Sequence, residues 1–191
     1  MIRIPRIRRG VSMRPLKRLG AFAVLAAAVP IVMLGASAAG AAGPNTSFAF
    51  NARDITGSSG AVTLTGGGAF NSSSHPAHSG GSFSCTSAVT SGPLGMVGGC
   101  QPGEGVRWDS DTLLTGTNFR CLANEALKPV TTTGDTVVLH ADFYRAGDGI
   151  DESFTANMFV STHDIDNDIP GVQNVWVQGV GCATGAVHFS H

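Results

Sequence analysis

Lysine is nearly missing from this chain, and acid is missing from its front. Lys128 is the only lysine after Lys17, and no aspartate or glutamate precedes Pro44. Residues 1–18 are therefore purely cationic, with Arg3, Arg6, Arg8, Arg9, Arg14, Lys17 and Arg18. Leu19 to Leu34 is apolar apart from Gly20 and Pro30, and small residues run from Gly35 to Gly43. A positive, then apolar, then small-residue order is that of a secretory signal peptide. Ala36-Ser37-Ala38 and Ala39-Gly40-Ala41 both suit the narrow peptidase site. Residues 1–42 are expected to be removed, leaving 43–191 as a single secreted β-domain. The alternative, a retained anchor, needs roughly 18 uninterrupted apolar residues, and Pro30 breaks the stretch. No cysteine lies near the cleavage region, which argues against a lipoprotein. Arg8-Arg9 is a twin arginine without the usual neighbours, which leaves both the general secretory and the twin-arginine route open, and Met13 offers a second start.

Basic residues are equally scarce behind the signal. Seven of the 12 precede Leu19 while all 13 acids follow Pro44, so the exported part carries a net charge of −8. Nucleic acids and anionic membrane surfaces both demand a basic face, so neither is expected as a partner, and no membrane insertion is expected once the signal is gone.

No two cysteines stand two to four residues apart, which argues against a zinc site. The four present, Cys85, Cys100, Cys121 and Cys182, all lie in the exported part. An even count in an oxidising compartment reads as two disulfides, with three possible connectivities. Cys85 with Cys100 is favoured because it is local. Such a bridge, closing about 15 residues, stabilises by about 3 kcal/mol. Cys121 with Cys182 would then tie the middle of the chain to its end.

Helical periodicity is also missing. Asp109–Leu114 and Cys121–Leu127 have room for a turn or two each. Period-two alternation recurs instead. It is strongest in 136–145, where Val137, Leu139, Ala141 and Phe143 share a face, and in 153–163, where Phe154, Ala156, Met158 and Val160 do. Weaker alternation marks Phe48/Phe50, Val62/Leu64, Phe83/Cys85, Val106/Trp108 and Phe119/Cys121, and strands are also expected in 172–181 and 185–191. Gly66-Gly67-Gly68 suggests a bend or bulge. Residues 71–81 read as a polar surface loop and 91–105 as a Gly-rich one. Without crossover helices the strands must be mostly antiparallel. The expectation is an all-β fold of about nine or ten short strands, either an antiparallel β-barrel or a barrel-like β-sandwich.

The segments Leu64-Thr65-Gly66-Gly67-Gly68-Ala69-Phe70, Gly105-Val106-Arg107-Trp108-Asp109, Ala141-Asp142-Phe143-Tyr144-Arg145-Ala146-Gly147-Asp148 and Gly171-Val172-Gln173-Asn174-Val175-Trp176-Val177 resemble those of secreted proteins of GC-rich Gram-positive bacteria. The resemblance covers most of the exported part. It implies secretion and an all-β fold, and no activity.

Chemistry-bearing residues form four groups. Asp164, Asp166 and Asp168 alternate in one segment and could fold their oxygens around calcium, although Ile169 and Val175 stand where a helix-loop-helix calcium loop needs Gly and Glu. A solvated acidic turn is the plainer reading. Asp148, Asp151 and Glu152 supply carboxylates of the kind glycosidases use, in what also reads as a hairpin turn. The intervening strand, at about 3.3 Å per residue, would hold these two acidic segments roughly 30 Å apart. His75, His78, His140, His163, His188 and His191 show no convergence; His140 beside Asp142 is the one catalytic-looking pair. No G-x-S-x-G nucleophile motif is present. Trp108, Trp176 and Tyr144 suit either a ligand face or packing. Phe159 sits among polar residues on its strand face, so it marks a contact surface or packs beneath a neighbouring loop.

No catalytic set is assigned and no cofactor is expected beyond that calcium. The leading expectation is a secreted, non-catalytic β-domain that acts by binding in the cell envelope or extracellular space. A small extracellular hydrolase using carboxylates or a His-Asp pair is one alternative. A barrel carrier of a small apolar ligand is the other.

Overall fold

The computed structural model describes residues 45–57, 60–90, 92–93, 99–105, 107–145 and 153–191. The expected signal, 1–42, and the acidic segment 147–152 lie outside the described residues. The strands are β1 (Thr46–Gly57), β2 (Gly60–Phe70), β3 (Pro76–Cys85), β4 (Arg107–Leu114), β5 (Gly116–Phe119), β6 (Lys128–Thr131), β7 (Thr136–Tyr144), β8 (Ser153–Ser161), β9 (Val175–Val177), β10 (Gly181–Ala183) and β11 (Gly185–Ser190). Every pairing is antiparallel. The order β1-β2-β3-β4-β7-β8-β9-β10 returns to β1, so eight strands close a barrel, and β5 and β6 form a separate hairpin.

Closure depends on β1 changing partner. Its first half pairs with β11 from Ser47↔Ser190 to Ala52↔Gly185, and its second half meets β10 at Thr56↔Cys182. Between them the register against β2 shifts, with Ala52 opposite Leu64 and Ile55 opposite Val62. This is a β-bulge at Arg53-Asp54, and Asp54 takes φ of 56°. An extra residue reverses which parity faces inward. Phe48, Phe50 and Ala52 are buried before it and Ile55 after it. β4 does the same against β7 between Asp109 and Thr112, so burial passes from Trp108 to Leu113.

Every strand of the wall sends apolar side chains into one interior cluster. One lateral row of cross-strand partners runs Phe50, Gly66, Gly81, Trp108, Phe143, Phe154 across β1, β2, β3, β4, β7 and β8. The two glycines leave a gap in the wall lining, and the Trp108 indole fills it. A Cβ on Gly66 would stand 2.7 Å from Trp108 Cζ2 and 2.5 Å from the Gly80 carbonyl oxygen. Trp108 Nε1 donates to the Thr65 carbonyl at 2.9 Å, so the buried indole is satisfied. Phe143 stacks on Phe154 with centroids 5.2 Å apart, and Phe83 meets Phe143 edge-on at 5.2 Å. The Cys85–Cys100 disulfide ties β3 to the segment after it.

Three expectations need correction. Residues 71–81 are not one loop: a short turn ends at His75 and β3 begins at Pro76. Its Ser79-Gly80-Gly81-Ser82 stretch carries no apolar pattern because Trp108 supplies the bulk from another strand. Gly66-Gly67-Gly68 is neither bend nor bulge, since β2 keeps register through it on both sides. Asp109–Leu114 is strand β4 rather than helix.

Replacing Gly66 by Ala is expected to cost roughly 1–3 kcal/mol by overpacking against backbone and Trp108. Gly134→Ala, whose Cβ would meet only His191 Cε1 at 3.4 Å, should stay within about 0.5 kcal/mol. Urea denaturation of both variants measures the difference.

Candidate functional site

The sequence between β4 and β7 leaves the barrel wall as the β5–β6 hairpin and returns over its outside. It does so because β7 to β10 present apolar side chains outward: Val138, Phe159, Trp176 and Cys182. Phe119 from β5 and Val130 from β6 cover them, with Leu114, Ile165 and Ile169 at the margin. Phe119 meets Phe159 edge-on at 5.0 Å, and Phe159 stacks on Trp176 at 5.7 Å. Trp176 Nε1 donates to the Arg120 carbonyl at 3.0 Å, and Asn157 Nδ2 donates to Thr117 Oγ1 at 3.1 Å. The Cys121–Cys182 disulfide fastens this cover to the barrel seam. Phe159 is thus fully buried beneath the excursion, the second of the two places its polar strand face allowed.

Lys128 enters the same region from β6. Its ammonium contacts Asp166 Oδ1 and lies 2.8 Å from Asp168 Oδ2. These two carboxylates hold Lys128 far above its ordinary pKa, the Asp166 hydrogen bond first and the Asp168 bond second. The third acid, Asp164, accepts backbone N–H groups from Asp166 at 3.1 Å and Gln173 at 2.9 Å. Asp166 Oδ1 also accepts the Asp168 N–H at 3.2 Å. Asp164 and Asp166 therefore shape the segment by side-chain-to-backbone turns. Asp166 and Asp168 already share a cation, so calcium on this triplet would have to displace an ammonium. Asp166 is buried, and its Oδ2 has no hydrogen-bond partner. Glu125 and Cys121 each place a potential ligand atom within 4.8 Å of an Asp166 oxygen. Cys121 is spent in its disulfide, and Glu125 Oε2 accepts the Cys121 and Leu122 N–H groups at 3.1 and 3.0 Å. The cluster thus offers a metal few free donors.

A cleft of about 520 Å³ opens where the excursion meets the β9–β10 turn. Asn118, Arg120, Leu122, Leu127 and Gln178 line it, with Trp176 at its base and the Gly179 backbone along one side. Leu122 and Leu127 are 43% and 62% exposed, two of the three large apolar side chains that stand out in solvent among the described residues. No carboxylate or imidazole lines the cleft among the described residues.

The other sequence candidates are scattered. His140 Nδ1 lies 2.8 Å from Asn157 Oδ1, its partner across β7 and β8. The His-Asp contacts among the described residues are His78–Asp111 at 3.0 Å and His163–Asp135, both solvent-exposed and neither lining the cleft. His191 meets Thr46. Trp108 is core, and Trp176 is held in the outer cluster with its N–H spent. Tyr144 lies under the Arg107 guanidinium at 4.1 Å. Burial raises the Tyr144 phenol pKa, and the nearby Asp109 and Asp142 add to it. Asp109 and Asp142 are cross-strand partners on the barrel's outer wall, with Arg107 3.4 Å from Asp109. Nothing in the sequence pairs these carboxylates, because they are far apart along the chain.

No protein-family model, curated protein or solved structure matches the chain.

Asp135 yields a prediction. The Thr133 hydroxyl donates to it at 2.6 Å and His163 contacts it, and these lower its pKa below the ordinary 3.8. A carboxyl lowered in the folded state stabilises fully above its unfolded value, and that contribution drains as pH falls through the folded one. Asp135→Asn should therefore flatten the fall of melting temperature between roughly pH 5 and pH 2. An unaltered profile in scanning calorimetry would count against the contact.

Proposed function

We propose that this chain is an exported, non-catalytic binding module of the cell envelope or extracellular space, and that the cleft under the β5–β6 excursion is where it binds. One observation carries the reading: Leu122 and Leu127 stand exposed at the mouth of a cleft that also presents Arg120, a cation in a segment with a large excess of acid. Exposed large apolar groups beside a few polar ones, around a volume inside the roughly 300–1,000 Å³ range of ligand sites, are the composition of a recognition pocket. No ion pair holds Arg120 among the described residues. The chemistry that fits is a short apolar segment bearing a carboxylate, with Arg120 taking the charge and the two leucines the apolar body.

Export is supported by the two disulfides and by the leader-like order of residues 1–42. No helix among the described residues is long and apolar enough to cross a membrane. The packed aromatic interior supports a site on the outer surface over a carrier cavity within the barrel. Asp109 and Asp142, a cross-strand carboxylate pair that a hydrolase could draw on among the described residues, stand on a wall outside this cleft.

N-acetylated dipeptides ending in Leu or Phe, titrated into the labelled domain and followed by amide chemical shifts, test the reading. Shifts should cluster on Asn118, Arg120, Leu122, Leu127 and Gln178, and Arg120→Gln should weaken binding about tenfold, about 1.4 kcal/mol. Perturbations confined to other surfaces, or affinity indifferent to Arg120, would reject it.

A further inference from the structure

The single lysine beyond Lys17 is spent on a contact for which arginine is the better-suited residue. Four arginines, Arg53, Arg107, Arg120 and Arg145, serve the same part of the chain. A planar guanidinium bridges two carboxylates better than an ammonium does and tolerates burial better. What lysine has and arginine lacks is a primary amine that becomes a nucleophile once it loses a proton. Lys128 Nζ contacts the carboxyl of Asp166, whose side chain is fully buried, and Asp166 Oδ2 has no hydrogen-bond partner. Phe119 is the cross-strand partner of Lys128, and Ile165 and Ile169, at the margin of the outer cluster, flank Asp166 along the chain. A buried charge with one oxygen unsatisfied is costly, and the cost disappears if both charges do.

We propose that Lys128 and Asp166 condense into an amide, an intramolecular isopeptide cross-link that joins β6 to the segment between β8 and β9. The step balances without oxidant or reductant. Asp168, 2.8 Å from Nζ, takes one ammonium proton. The freed amine attacks Asp166 Cγ, forming the N–C bond. One Asp166 C–O bond then breaks, and that oxygen leaves as water with the second Nζ proton and the proton returned by Asp168. One water is lost, two charges vanish, and Asp168 is regenerated as a positioning base. The fold presses amine and carboxyl together, and such enforced proximity is worth effective molarities of roughly 10⁵ M or more. Because the two carboxylates favour the ammonium form, the reactive neutral amine is the minor species and the bond forms as a slow maturation after folding.

The cross-link and Cys121–Cys182 would then hold the excursion at two points, one of them beyond the reach of reductants. Mass spectrometry of the purified, aged, non-reduced protein decides the matter. The intact chain should be four hydrogens and one water lighter than the fully reduced linear sequence. Proteolysis should release a branched peptide containing Lys128 and Asp166. Lys128→Arg should regain the water and keep the ionic contact, which separates this loss from dehydration at an Asp-Gly turn elsewhere. Asp166→Asn offers a second check, because its condensation expels ammonia and gives a product of the same mass as the cross-linked parent. Linear peptides carrying Lys128 and Asp166 at full mass in aged material would overturn the proposal, as would a branched peptide using another pair.

Discussion

Everything on the outside of this molecule follows from how its wall is closed. A sheet becomes a barrel only if its first and last strands pair, and here the first strand must serve two partners along one edge. β1 lies against β11 until Ala52 and against β10 at Thr56. The Arg53-Asp54 bulge makes the change possible by bending the strand and resetting its register on both sides. Cys182 stands at that seam with its side chain in the outer cluster, while neighbouring Ala183 faces the interior. The seam thus sets where the Cys121–Cys182 disulfide can attach the β5–β6 cover. Cover, seam turn and the open space between them make the cleft.

The inside and outside of the barrel divide the labour. Inside, Phe50, Trp108, Phe143 and Phe154 occupy a row in which Gly66 and Gly81 give way, so the wall is narrow where the indole is wide. That packing stabilises the barrel. The exterior is mostly polar, but one patch of wall is apolar enough to need a cover. The cover brings Arg120, Leu122 and Leu127 with it. Lys128 arrives on the same hairpin, so the group that ties down the excursion and the groups that line the cleft belong to one stretch of chain.

The sequence was most legible where both faces of a strand carry their own chemistry. β7 and β8 alternate cleanly, and the observed pairing from Thr136↔Ser161 to Tyr144↔Ser153 follows that pattern. It was least legible in the 79–82 stretch of β3, where the position opposite Trp108 is Gly81 and the filling side chain comes from another strand. Bulges blurred β1 and β4 further, because a parity change in mid-strand reads as loss of alternation. The favoured Cys85–Cys100 and Cys121–Cys182 pairings are the ones that the structure shows. At the site, Phe159 gave a real signal: a large apolar residue on a polar face needs something to cover it. The role of Asp166 was invisible, since its partner Lys128 lies 38 residues away. Alternating carboxylates suggest a bound ion when their internal cation comes from elsewhere in the chain. The cleft itself had no linear signature, because Arg120 and Gln178, which both line it, lie far apart along the chain.

The account therefore stands on closure at β1 and β10. Cross-strand nuclear Overhauser contacts between the backbones of Thr56 and Cys182, together with amide exchange along both strands, measure it most directly. A closed wall predicts backbone contacts at that pair and slowed exchange on either side of it. Solvent-rate exchange along β10 and the facing half of β1, with no contact between them, would describe an open sheet and contradict the account.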